Sequence, residues 1–149
     1  MAEAKLDDWM QDHLDRYLKS NGADGHFMDF TSGGGKPDTP NLLLTTTGRK
    51  SGKAIMLPLI YGVDDGRYVI VASKGGAHEH PSWYLNLVAQ PLVDVQVKDR
   101  KFSALASTVS GAERQRLWQL MVDVLPIYND YVKLTTREIP VVLLEPLGK

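Results

Sequence analysis

Three short stretches carry residue types that can do chemistry. The first is Thr47-Gly48-Arg49-Lys50-Ser51-Gly52-Lys53, with three cations and no acid between two apolar runs. Glycines let a backbone approach a ligand closely, and Arg and Lys make charge-assisted bonds to phosphate or carboxylate. A solvated hairpin turn has the same composition. The stretch is not a Walker loop, because the GxxxxGK[ST] spacing is missing and no helix follows. The second is Ala72-Ser73-Lys74-Gly75-Gly76, which closes an apolar run ahead of a helix start near Pro81. Gly75 and Gly76 can turn their N–H groups inward as a nest for an anion or a ring carbonyl. Lys74 adds charge, the helix directs its positive end the same way, and Trp83 and Tyr84 offer flat apolar surface. A tight turn with packing aromatics is the plainer alternative. The third is Tyr128-Asn129-Asp130-Tyr131, two phenols three apart on one helical face. They can line a substrate pocket or donate a hydrogen bond to a developing oxyanion, or they can simply pack. Arg137 can pair with Asp130 or with a ligand.

Other chemistries lack their residues. His78 and His80 offer two metal ligands without a third and fourth, so no metal is expected. There is no GxSxG elbow, no GxGxxG and no cysteine. A formal net charge of -1 provides no global field for nucleic acid or an anionic membrane, so an anion site must be local.

The elements that must position these stretches form one domain of 149 residues, 43% apolar and 23% charged. The acidic N-terminus lacks a signal-peptide apolar block, and no apolar run nears the ~18 residues of a membrane span. A cytoplasmic protein is expected. Residues 1–19 form an amphipathic helix with Leu6, Trp9, Met10, Leu14, Tyr17 and Leu18 on one stripe. It packs on its own domain, with peripheral membrane contact as the other use, although its polar face is acidic where interfacial helices are usually basic. Residues 20–40 are a flexible loop or lid, with Gly33, Gly34 and Gly35 at its centre and Phe27, Met28 and Phe30 to lay over a pocket. Residues 41–149 hold six strands, at 42–47, 55–61, 68–72, 93–97, 102–107 and 141–144. Short links imply antiparallel neighbours, and such a sheet closes to remove its edges. Helices follow at 81–89, at a Ser110-Gly111-Ala112-Glu113 capping box, and at 128–135. The class is α+β, a small barrel of about six mostly antiparallel strands with peripheral helices.

LLLTTTGRKSGK, PLIYG, VIVASKGGAHEHPSWYLNLVAQP and YNDYVKLTTREIPVVLLEP together resemble the deazaflavin-dependent nitroreductase family. The resemblance covers residues 41 to 146 and implies a split β-barrel that uses coenzyme F420, a deazaflavin with a polyanionic tail. It assigns the phosphate and tail to Arg49, Lys50, Ser51 and Lys53. It assigns the ring and its linker to Ala72, Ser73, Lys74, Gly75, Gly76, Trp83 and Asn86, with Met56, Leu57 and Pro58 on the ring's other side. The glycines would then be there because a side chain would block the ring. The implied reaction is hydride transfer from reduced F420 to an electron-poor small molecule: an enone, a quinone or a nitro compound. Tyr128 and Tyr131 match substrate-side tyrosines. Leu125 stands where the nitroimidazole-activating member has a third, which speaks against nitroimidazoles. The alternatives are an FMN-binding oxidoreductase, whose cofactor offers only one phosphate, and a non-catalytic F420-binding module. The oligomeric state is left open.

Overall fold

Apolar alternation between residues 39 and 147 becomes a curled antiparallel sheet in the computed structural model, which describes residues 8–29 and 37–147. Its strands are β1 (Phe27–Met28), β2 (Thr39–Thr47), β3 (Ala54–Ile60), β4 (Gly62–Asp64), β5 (Arg67–Val71), β6 (Leu92–Val97), β7 (Arg100–Thr108) and β8 (Val141–Pro146). Its helices are α1 (Asp8–Ser20), α2 (Ser82–Ala89), α3 (Gly111–Val124) and α4 (Tyr128–Tyr131), with 3-10 turns at Lys74–Gly76 and Val132–Leu134.

The sheet runs β1-β2-β6-β7-β8-β5-β4, and β3 also pairs with β2. The run expected as one strand at 55–61 breaks at Tyr61. Ile60 pairs with Asn41 on β2, whereas Gly62 pairs with Val69 on β5. One kinked segment therefore belongs to both ends of the sheet and curls it into a barrel, which leaves fewer unpaired edges. The turn from β4 to β5 uses Asp65 (φ 51°) and Gly66 (φ 77°), the pair of positive φ values that a two-residue hairpin loop needs.

Period-two alternation sorts the strands into two faces. Inward residues such as Leu42, Leu44, Ile70, Val95, Val142 and Leu144 fill the barrel, and Trp83 and Leu87 of α2 plug it. The outer face of β5 and β8, with Val69, Val71, Val141 and Leu143, is covered by Leu117, Met121 and Val122 of α3 and by Tyr128. Fully burying one such aliphatic side chain stabilises the fold by roughly 1.5–3 kcal/mol.

Three expectations change. On α1 only His13, Leu14 and Tyr17 are buried; Trp9 and Leu18 are exposed, and Leu6 lies outside the described residues. The Tyr17 hydroxyl donates to the Asn41 carbonyl at 3.0 Å and accepts the Lys98 N–H at 2.8 Å, so this helix is tied down by polar bonds as well as packing. The loop at 20–40 contains the short strand β1, paired with Thr39 and Pro40, while Phe30, Gly33, Gly34 and Gly35 fall outside the described residues. At the start of α3, Ser110 sits at the N-cap without a side-chain cap bond, and Glu113 lies 4.0 Å from Arg67 instead of closing a capping box.

Candidate functional site

The basic stretch is the β2–β3 turn. Its backbone closes through Gly48 N–H to the Lys53 carbonyl and Gly52 N–H to the Gly48 carbonyl, both 2.8 Å. Ser51 Oγ accepts the Lys53 N–H at 3.2 Å. Arg49, Lys50, Ser51 and Lys53 are all exposed, and among the described residues no carboxylate pairs with any of the three cations.

Arg49 joins this turn to α2. Its backbone N–H and its Nη1 both donate to the buried Asn86 Oδ1, at 3.1 and 2.8 Å, and Nη1 also reaches the Ser82 carbonyl at 3.3 Å. Asn86 Nδ2 donates to Thr46 Oγ1 at 3.4 Å. The Asn86 side chain is therefore a connector: its oxygen holds Arg49 and its nitrogen holds β2. Trp83 is buried in the barrel core and presents little face to solvent.

The loop between β5 and α2 carries the second stretch. Ala72 is buried, and its N–H bonds the Pro140 carbonyl at 3.0 Å. Lys74 adopts φ 47° and pairs with Glu79 at 3.1 Å in an exposed position. Gly76 donates its N–H to the Ser73 carbonyl at 2.9 Å, so that donor closes the 3-10 turn and is not part of an open nest. Gly76 also has φ +82°. A Cβ there would come within 3.0 Å of Leu134 Cβ, Leu134 Cδ1 and the Tyr131 carbonyl oxygen. The glycine is required by this close approach to residues 131–134, whatever space it also clears for a ring.

A residue of undecided role in the sequence organises this loop. Arg137 pairs with neither Asp130 nor any other carboxylate among the described residues; Asp130 instead lies 3.8 Å from Lys133. Arg137 Nε donates to the Ala77 carbonyl (2.8 Å), Nη2 to the carbonyls of Ser73 (2.9 Å) and Ala72 (3.2 Å), and Nη1 lies 2.9 Å from His80 Nδ1. Burial and this guanidinium hold His80 below the ordinary imidazole pKa, so it accepts from Arg137 as the neutral ring. Arg137 thus fixes four positions of the loop at once. The signal in the sequence was a lone cation next to the tyrosine helix; its partners are backbone carbonyls, which no side-chain pattern reveals.

The two tyrosines differ. Tyr128 is buried against Trp118 and Leu125, and burial first, then the neighbouring Tyr131, push its phenol pKa well up. Tyr131 is half-buried, edge-on to Tyr128 at 6.1 Å, with its backbone against Gly76. Both sit beside the 72–80 loop, but only Tyr131 has access to solvent. Met56, Leu57 and Pro58 do not present one surface. Met56 packs with Leu14, Tyr17 and Leu43 under α1, while Leu57 points into the barrel. The β2–β3 turn, α2, the 72–80 loop and residues 128–137 therefore form one connected chain of contacts. Met56 and Leu57 split between the two faces of β3.

A family model described as F420H(2)-dependent quinone reductase matches residues 9–146. The F420H(2)-dependent quinone reductase Rv1261c of Mycobacterium tuberculosis is 39% identical over 131 residues, 86% of this chain and 83% of that protein. A solved F420-H2 dependent reductase, FDR-A, is 45% identical with a TM-score of 0.67, covering 71% of this chain and 94% of its own. HutZ, a haem storage protein of Vibrio cholerae, is 17% identical with a TM-score of 0.57 over 73% of this chain and 82% of its own, a likeness of fold alone.

Proposed function

The chain belongs to the F420H(2)-dependent quinone reductase family, and on that premise we propose how its residues serve the reaction. It is an F420-dependent oxidoreductase that reduces a quinone. When bound, reduced F420 supplies the hydride; the protein supplies placement and a dry, polarised surface.

The exposed cations Arg49, Lys50 and Lys53 take the phosphate and polyanionic tail, with Ser51 as a hydroxyl partner. Three cations without a described carboxylate partner suit a ligand of several negative charges, whereas a single phosphate would leave most of them unused. Asn86, through Arg49, sets this clamp at a fixed distance from the 72–80 loop. That loop, with Ala72, Ser73, Lys74, Gly75 and Gly76, receives the ring and its linker, and Trp83 supports it from the core. Met56, Leu57 and Pro58 serve through the β3 backbone rather than as a common side-chain wall. The Tyr131 hydroxyl donates a hydrogen bond to the quinone oxygen on which charge develops. Tyr128, protonated throughout the physiological range, orients Tyr131 through ring packing and acts as a positioning residue. The Arg49–Asn86–Ser82 contact carries this reading, because it ties the acid-free basic turn to the helix that directly follows the 72–80 loop.

The reading is tested by following tryptophan fluorescence during titration with oxidised F420 and, in parallel, FMN. Tighter binding of F420, with a salt dependence that weakens in Lys50→Ala/Lys53→Ala, is the expected result. Equal affinity for FMN with no effect of the double substitution would remove the tail clamp.

No described helix is long and apolar enough to cross a membrane. We propose a cytoplasmic enzyme whose contact with lipid, where an apolar quinone dissolves, is made by the exposed Trp9 of α1. Co-sedimentation with neutral vesicles that is lost in Trp9→Ser is expected; equal sedimentation of both proteins would remove this contact.

A further inference from the structure

The Val132–Leu134 3-10 turn continues directly from Tyr131, and its apolar surface has no role in the proposed function. Residues three apart on such a turn share one side, so Tyr131 and Leu134 face the same way. That side lies against the 72–80 loop. A Cβ placed on Gly76 would meet Leu134 Cβ, Leu134 Cδ1 and the Tyr131 carbonyl oxygen, each at 3.0 Å. Leu134 nevertheless remains 58% exposed. By the same spacing Asp130 and Lys133 share another side, where they approach each other at 3.8 Å, mostly in solvent. One residue further on, Thr135 Oγ1 lies 3.4 Å from His78 Nδ1 and accepts the Arg137 N–H at 3.3 Å. The turn is thus fastened to the loop at two points around Leu134, Gly76 and His78.

A single exposed leucine is ordinary on a protein surface. Leu134 differs in its place. It is fixed against the loop assigned to the cofactor ring, and it lies one turn beyond the tyrosine assigned to the quinone oxygen. We infer that Leu134 is a specificity-determining residue of the quinone site, on which the substituent next to the Tyr131-bound oxygen rests. The inference deepens the proposed function and rests on it. An apolar substituent covers Leu134 and gains by leaving water. A charged or strongly polar one loses water against Leu134 without a partner in return, because Thr135 is already engaged by His78 and Arg137 and the Asp130–Lys133 pair lies on another side. The residue therefore selects quinones by the polarity of the ring edge that carries the reacting oxygen.

The test is a series of 2-alkyl-1,4-naphthoquinones, from methyl through ethyl and propyl to butyl, reduced with saturating reduced F420. In the wild-type protein kcat/KM should rise by roughly two- to fourfold for each methylene added, as expected for apolar surface leaving water. Leu134→Gln keeps the stem that packs on Gly76 but ends in an amide, and it should flatten the series. Leu134→Met, which is apolar again, should restore the rise. F420 affinity, followed by tryptophan fluorescence, should stay within twofold in both variants. A flat series in the wild-type protein, a rise that survives Leu134→Gln, or a parallel loss of F420 affinity and turnover in Leu134→Gln would each overturn the assignment. Turnover that depends on Tyr131 but ignores chain length would remove the role of Leu134 alone. Absence of turnover with every member of the series would remove the quinone reading and the role of Leu134 together.

Discussion

At the scale of single residues, labour is divided between groups that meet ligand and groups that hold them. Tyr131→Phe removes one hydroxyl from a half-buried ring. It should lower kcat for quinone by about ten- to a hundredfold while leaving F420 affinity within twofold, measured by steady-state kinetics beside a binding titration. An equal loss in both would make Tyr131 a packing residue. Arg137 is a positioning residue, and two substitutions separate its charge from its fork. Arg137→Lys keeps the cation but cannot hold three carbonyls, so F420 affinity should fall by about tenfold with the His80 pKa still low. Arg137→Met removes the cation as well, so the His80 pKa should rise toward its ordinary value, read by NMR titration. These roles were unevenly legible. Arg49 and the lysines announced themselves as an acid-free basic turn. Asn86 and Arg137 were recognisable as polar residues near the right motifs, but their bonds run to a backbone N–H and to carbonyls brought close only by the fold.

At the scale of elements, spacing alone identified the β2–β3 hairpin, α2 and α3, because period two, period 3.6 and turn chemistry are local signals. The break at Tyr61 was not legible. Residues 55–61 read as one apolar strand, and only the partners on either side, β2 and β5, separate β3 from the further strand β4. The burial of His13 was hidden for the same reason: its Nε2 lies 2.7 Å from the Gly25 carbonyl, supplied by a turn after the helix. Gly76 has a reason in the fold that spacing does not show: the Leu134 turn is itself an obstacle to a side chain there. Gly76→Ala should therefore destabilise the fold by about 1–3 kcal/mol, from positive φ and from the contacts with Leu134 and Tyr131, measured by chemical denaturation. Unchanged stability with lost F420 binding would return the glycine to the role of clearing space for the ring.

At the scale of the whole molecule, acid should loosen the protein in two steps. His26 is buried with Nε2 2.8 Å from the Tyr61 hydroxyl, and burial first, then Lys98, hold its pKa below the ordinary 6.5. The unfolded chain therefore takes up this proton before the folded one does. Stability should fall as pH drops below about 6.5 and level off beneath the lowered folded value. Asp64, bonded by Arg116 and Arg67, is held down at about 2 from the usual 3.8. Its contribution is complete above 3.8 and disappears as pH falls toward 2. Thermal melts across pH should show both decreases, and His26→Gln should shrink the first to the share of His80, whose pKa is also lowered, while leaving the second. A first decrease that persists unchanged in His26→Gln would assign it to another group.

The most direct measurement is anaerobic mixing of reduced F420 with a quinone such as menadione, with and without the protein, following reappearance of the oxidised deazaflavin. Catalytic oxidation far above the spontaneous rate, sharply reduced in Tyr131→Phe and shifted to higher F420 concentration in Lys50→Ala/Lys53→Ala, is the predicted result. A protein that binds F420 but leaves the spontaneous rate unchanged with quinones would contradict the account and make the chain a carrier of the cofactor.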